Sequence, residues 1–447
     1  MKHVFLPIWI VLYGLFCVRI SAGTQNFAKP ELVREVLDGK RGEARVSWWG
    51  FDVKDSTEFL QNAINSKARK LIIDRQASAW ITRPLTGVNN QEIVFEAGTE
   101  LVALKGAFHP KGDCLLSFQR CTNVIIRGNN HDGGKSARIR MRKEDYQSGT
   151  YESSEWRHGL NFEGCQNVLI QDLTIEKTGG DGIYLGATWD KHPNLDVVIR
   201  RVDCNDNHRQ GISVISVEKL LIEDCLLRNT DGTAPRAGID FEPNCPDDSL
   251  INCVVRHCRA ENNAGTGYQI CSQSMSSHSK PISIYLENCV SHSNQQHAVH
   301  LCSAPKDPPG GLLRIAHLVS ESDAMAGLAV QFNPYNAVRI DMEDTVIRDA
   351  ARKDLFFHPI YVQGADSGPA GNIHFKHVTI KDDLDRSFIR IRNRKGDKLK
   401  DVTGDITLER NGRKETITVD DALLDKISQA EDGPTKARVY IDTDTAH

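Results

Sequence analysis

Between Cys114 and Phe388 one short pattern recurs ten times: a small residue, then apolar residues at alternate positions, as in Gly159-Leu160-Asn161-Phe162, Gly211-Ile212-Ser213-Val214 and Gly238-Ile239-Asp240-Phe241. The repeats begin at Cys114, Gly159, Gly182, Gly211, Gly238, Gly267, Ala298, Gly327, Pro359 and Phe388, mostly 23 to 32 residues apart. The intervening positions are polar: Asn161, Tyr184, Ser213, Asp240, Gln269 and His300. A period of two gives a strand with one buried and one wet face, and its return at a fixed interval marks a solenoid. A second apolar run follows in most turns, at 123–126, 167–170, 196–199, 219–222, 283–286 and 372–375. Polar corners come after it, such as Asn205-Asp206-Asn207, Arg228-Asn229-Thr230 and Glu261-Asn262-Asn263. Two or three strands per coil with hydrogen-bonding corner residues predict an all-β chain wound as a parallel β-helix. A helical solenoid is excluded, because helical spacing does not recur and β-branched residues dominate the runs.

The flanks read differently. Asp55-Ser56-Thr57-Glu58, followed by Phe59, Leu60, Ala63 and Ile64, predicts a short helix with a capping box. That helix plugs the N-terminal end of the coil, where strand edges and core are otherwise exposed. Beyond Asn393 the chain is highly charged, and 405–408 with 415–419 are expected to pair as a terminal hairpin. Residues 1–23 have the form of a secretory signal: Lys2 and His3, an apolar run from Val4 to Cys17, then Ser21-Ala22-Gly23. The run is short for a membrane span. The expected division is therefore a signal over 1–23, an N-terminal segment with the capping helix over 24–70, the β-helix over 71–393 and a C-terminal cap over 394–447.

The repeat, the Asn-rich corners and the Gly-x-Gly-Ile strand starts resemble the right-handed parallel β-helix superfamily of pectin-lyase-like proteins, over roughly Leu71 to Asn393. The resemblance implies a right-handed coil and a carbohydrate-active protein: the superfamily holds glycoside hydrolases, polysaccharide lyases, epimerases, tailspikes and adhesins. Part of the pattern is similar to polygalacturonase-type hydrolases. Gly179-Gly180-Asp181-Gly182 carries one Asp where those enzymes carry a pair, and Gln210-Gly211-Ile212-Ser213 lacks their His between glycines.

Charged residues make up 26% of the chain and the net charge is -4, which points to neither nucleic acid nor a membrane surface. Export permits disulfides. Yet Cys204, Cys225, Cys258 and Cys289 all follow the second strand of successive coils, and stacked coils bring such positions to about 4.8 Å, so a ladder of small buried thiols is expected. No zinc-ligand spacing occurs.

The outward column of a β-helix forms a groove long enough for several sugars. Near its centre Asp240 and Glu242 lie two residues apart on one strand, on the same exposed face, where mutual repulsion raises one pKa as a general acid requires. Their Cα spacing, ~6.6 Å, is compatible with an inverting glycosidase. Asp181, two coils earlier, is a third candidate catalytic acid. Candidate substrate-binding residues are His208, Arg209 and Arg236 at the neighbouring corners, Tyr184, Gln269 and His300 on the outward column, and Trp156, Arg157 and His158 at the end of an insertion. That insertion runs from Asn129 to Trp156, with Lys135, Arg138, Arg140, Arg142, Lys143, Tyr146 and Tyr151. It is read as a wall over the groove, whose basic content favours an acidic glycan.

The leading expectation is an exported glycoside hydrolase acting on a polysaccharide through Asp240 and Glu242, with no cofactor. A lyase or uronate epimerase is the alternative, in which the acids bind Ca2+ and His208, Arg209 or His300 takes the C5 proton. A non-catalytic glycan-binding surface protein is the third.

Overall fold

The computed structural model describes residues 27–129, 136–304, 306–364, 369–392 and 399–432. The signal segment over 1–23, Lys135 and Asn393 lie outside the described residues.

The predicted coil is present. One side is an 11-stranded sheet running in chain order from Leu85–Thr86 to Ile389–Arg392, and the other strands form a 22-stranded sheet. Leu160, Ile183, Ile212, Ile239, Tyr268 and Val299 are partners on consecutive parallel strands, and all are fully buried. The period-two reading therefore fixed the right face. The first repeat is the exception: Leu116, not Leu115, lies opposite Leu160. Adjacent Leu115 and Leu116 blur the phase locally, and the ring of Phe118, stacked on Phe162 at 4.9 Å, sets it at Leu116.

The repeated small residue has a steric cause. A Cβ at Gly182 would lie 2.6 Å from the Gly211 carbonyl, and one at Gly211 would lie 2.5 Å from that of Gly238. The polar corners combine two devices. Asp206, Asn229 and Asn262 take left-handed backbone, with φ 55, 56 and 55°, which Asn and Asp tolerate better than other side chains. The next residue then turns inward: Asn263 Oδ1 accepts from the Thr230 N–H, and Asn294 Oδ1 from that of Asn263, satisfying buried backbone donors at the bend.

Among the described residues eleven cysteines carry free thiols. Cys225, Cys258 and Cys289 occupy consecutive rungs. Cys204 is not part of that ladder, because it lies opposite Leu227.

The helix at Thr57–Asn65 buries Leu60, Ala63 and Ile64 as expected, but its N-cap is Ser56. Asp55 Oδ1 accepts from the Thr57 N–H, so the predicted box with Glu58 does not form. Another helix, Pro30–Leu37, precedes it, and parallel pairing already begins at Glu43–Arg45. At the other end Asp405 pairs with Thr418 and Leu408 with Glu415 in the expected hairpin; the helix Asp421–Asp432 that follows was not foreseen. Among the described residues no helix is long and apolar enough to cross a membrane.

Candidate functional site

The insertion is part coil and part wall. Ala137–Arg140 joins the sheet beside Leu173–Glu176, and a short helix, Lys143–Tyr146, turns the chain toward the groove. Its basic residues are largely spent on local partners. Arg138 and Arg140 face Glu176 at 3.5 and 3.6 Å, and Lys143 is buried against Asp206 at 2.7 Å. They do not form the cationic wall that was expected. The rest of the loop does reach the groove: Gln147 meets His208 Nδ1 at 2.6 Å, and Glu155 lies 3.2 Å from Arg209.

Arg157 corrects its assignment as a sugar-binding residue. It is fully buried, and its guanidinium donates to the carbonyls of Phe108, His109 and Glu152. Tyr146 and Tyr151 flank it at 5.5 and 5.6 Å. This arginine anchors the loop. Gly179 and Gly180 accept the anchored segment: a Cβ at Gly180 would lie 2.5 Å from the Glu155 carbonyl. The glycine pair before Asp181 thus permits close packing.

Beneath that loop lie the acids. Asp240 faces the groove column but is fully buried, which overturns its expected place on a wet face. Gln210 Nε2 donates to its Oδ2 at 2.8 Å, while Oδ1 meets no donor. Burial first, then the charge of Glu242 and a hydrogen bond between the two carboxyls, push Asp240 well above the ordinary carboxylate range. Asp240 and Glu242 are thus interacting carboxyls, of which burial favours the neutral form at Asp240.

Glu242 is partly exposed and takes an ion pair from Arg209 at 2.7 Å. Arg209, held between Glu242 and Glu155, has its pKa raised further by Asp181, Glu242 and Glu155 despite burial. A guanidinium held in its charged form suits anion binding more than proton abstraction. Asp181 is fully buried, and both its carboxyl oxygens lack a hydrogen bond. Burial pushes its pKa up to about 8, against the opposing pull of Arg209. His158 Nδ1 accepts the Asp181 N–H at 3.0 Å and lies 3.2 Å from Oδ2. Burial, then Arg209, push His158 down to about 3, so it is neutral. Its ring stacks on Tyr184 at 4.5 Å. Asp181, Asp240, Glu242 and Glu155 thus converge on one guanidinium, with His158 and Tyr184 as a ring wall.

The defining pattern of the right handed beta helix region family matches residues 108–242 and 158–306. A hyperthermoactive exopolygalacturonase from Thermotoga maritima superposes with a TM-score of 0.53 at 14% identity, covering 88% of this chain and 98% of that one. The chain has the right-handed parallel β-helix fold of that structure. The tailspike protein of Escherichia coli bacteriophage HK620, in complex with a pentasaccharide, gives 0.56 at 12% identity over 85% of this chain and 67% of its own. In sequence, the uncharacterized protein YclG of Bacillus subtilis (strain 168) is 34% identical over 103 residues, 21% of this chain and 18% of that protein. The match to the curated relatives spans only about a fifth of their length.

Other predicted site residues of this β-helix are spread along the groove. Gln269 adjoins Asp240 on the next strand and His300 adjoins Gln269. His300 Nε2 bonds Gln331 at 2.9 Å, and burial pushes its pKa down to about 4. His208 is held by Gln147 and by Thr233, the latter at 2.8 Å. Arg236 stands at the corner with φ 59° and a buried Nε lacking a partner; among the described residues no ion pair ties it to the acids. Trp156 is 51% exposed before the strand Leu160–Glu163. The sequence reading missed Glu155, the loop's contact with Arg209, and Trp189, 83% exposed in the turn after Ile183–Gly186. Asp190 braces that turn through Thr188, His192 and Arg120. A tryptophan between turn residues was the available signal for Trp189; nothing local marked Glu155 among the loop's other acids. Among the described residues no three His, Cys, Asp or Glu are arranged to hold a metal ion; the guanidinium of Arg209 sits among the acids instead.

Proposed function

We propose that this chain is an exported glycoside hydrolase that cleaves a polysaccharide in the groove, with Asp181 as general acid and Glu242 as general base. The observation that carries the reading is Asp181: a fully buried carboxyl beside the Arg209 guanidinium, 3.2 Å from His158, whose pKa burial raises to about 8. A glycosidic oxygen brought to it would accept its proton. Asp181 and Glu242 both act on Arg209 from rungs two apart along the coil axis, so a sugar lying in the groove would pass between them. Asp240 serves as the protonated neighbour that orients Glu242.

Sugar reaches Asp181 when the Glu155–Arg209 ion pair parts and the loop lifts. The carbohydrate-acting neighbours on the same fold support the substrate class, and the apolar run Val4–Cys17 supports export. Purified protein screened against neutral, uronic and sulfated polysaccharides should release reducing ends with no ultraviolet-absorbing unsaturated product. Asp181→Asn and Glu242→Gln should each lower turnover at least about 10²-fold. Full activity in either variant, or an unsaturated product, would overturn the assignment.

A further inference from the structure

The groove does not end at the acids. In register from Asp240 one column continues through Gln269, His300, Ala329 and Tyr361 to Arg390, with Ala329 and Tyr361 buried beneath Phe357. The parallel column runs through Cys302, Gln331 and Gln363 to Arg392. Its floor is polar and ordered: His300 bonds Gln331, Gln331 Nε2 donates to Gln363 Oε1 at 3.1 Å, and the Tyr361 hydroxyl donates to the same oxygen at 3.0 Å. Two arginines close the row on the last strand of the sheet, Ile389–Arg392.

Their environment differs from that of most basic side chains on this coil. Among the described residues neither Arg390 nor Arg392 has a carboxylate within ion-pair distance, whereas the coil's other face carries repeated pairs such as Arg256–Glu223 and Arg314–Glu343. Arg390 is nevertheless held still. Its Nη1 donates to the Phe356 carbonyl at 2.7 Å, and its Cζ lies 4.2 Å from the centre of the Phe356 ring. The same ring lies 5.8 Å from the Arg392 Cζ and is 39% exposed. Two guanidinium groups on one aromatic ring, with no ion pair among the described residues, offer forked donors for an anion.

We propose that Arg390, Arg392 and Phe356 form a distal subsite for an acidic sugar, one bearing a carboxylate or a sulfate. This rests on the groove being the polysaccharide site. Five rungs separate Arg390 from the strand of Glu242 and seven from the rung of Asp181, about 24 and 34 Å, so the anion belongs to a sugar about five to seven units from the bond that is cut. The acidic substrate suggested by the insertion is thereby assigned to different residues, since those of the insertion are already paired.

The test measures binding and cleavage separately. Oligosaccharides of uronic acid and of sulfated sugar, about eight units and about three units long, are titrated into wild type and into the Arg390→Gln/Arg392→Gln double variant. Carboxyl-reduced and desulfated counterparts serve as uncharged controls. One long acidic series should bind wild type with an affinity that falls with salt, and the double variant should lose about tenfold. The short chains and the uncharged controls should bind both proteins alike. Which series responds identifies carboxylate or sulfate. Equal affinity of wild type for charged and uncharged long chains, or no loss in the variant, overturns the subsite. Charge-dependent binding without cleavage leaves the subsite standing and refutes the hydrolase; cleavage with no charge dependence does the reverse.

Discussion

Asp181→Asn should change stability in a pH-dependent manner. The carboxyl has a folded-state pKa of about 8, against about 3.9 in an unfolded chain. Between those values the folded protein keeps a proton that the unfolded chain has released. The stabilisation from this group is complete below about 3.9 and is lost as pH rises toward 8, at about 1.4 kcal/mol per unit. From pH 5 to pH 7 the loss is about 3 kcal/mol. The asparagine variant has no such slope. Its amide puts N–H groups where His158 Nδ1 already accepts from the backbone, a cost of about 1–3 kcal/mol that does not vary with pH. His158, neutral in both proteins, cancels in the comparison. Urea unfolding of the two proteins at pH 5, 6 and 7 should therefore show the variant gaining on wild type by about 3 kcal/mol across the range. A difference independent of pH would mean that Asp181 is ionised in the folded protein, and the general-acid role would fall with it.

Asp240→Asn should lower turnover about 10²-fold or more and, because the side chain is buried against Gln210, should also shift the urea midpoint, unlike a change on a wet face; an unchanged midpoint with full activity would remove Asp240 from the site. Ile239→Asp should unfold the middle of the coil, since an unpaired charge buried there costs several kcal/mol, and a variant retaining the wild-type melting transition would break the assigned register. Thiol titration of denatured, unreduced protein should find most of the eleven cysteines free, whereas four or more disulfides would contradict the corner geometry.

The fold was legible because it is periodic. Ile183, Ile212 and Ile239 repeat one steric problem, a side chain inside a narrow coil beside a residue too small to strike the next rung, and a repeated problem leaves a repeated pattern. Where the pattern was locally ambiguous, as at Leu115 and Leu116, the reading slipped by one. The site was legible only in part. Asp240, Glu242 and Arg209 were found because strand parity places them on the groove, and Asp181 because it is a carboxylate among turn glycines. The burial of Asp181 and Asp240 was missed because strand periodicity says nothing about how an insertion that begins at Asn129 folds back. For the same reason Arg157 was mistaken for a sugar ligand: only the carbonyls it meets, from Phe108, His109 and Glu152, show that it anchors the loop.

The division of labour between Asp181 and Glu242 meets its most direct test in the stereochemistry of the product. Proton NMR of the anomeric signals during the first minutes of hydrolysis, on whichever polysaccharide the protein degrades, reports which face of the sugar the water attacked. Two carboxyls two rungs apart across Arg209 predict that the new reducing end appears with inverted configuration and then mutarotates. Retention would require a nucleophile close enough to bond the sugar, and would contradict the account.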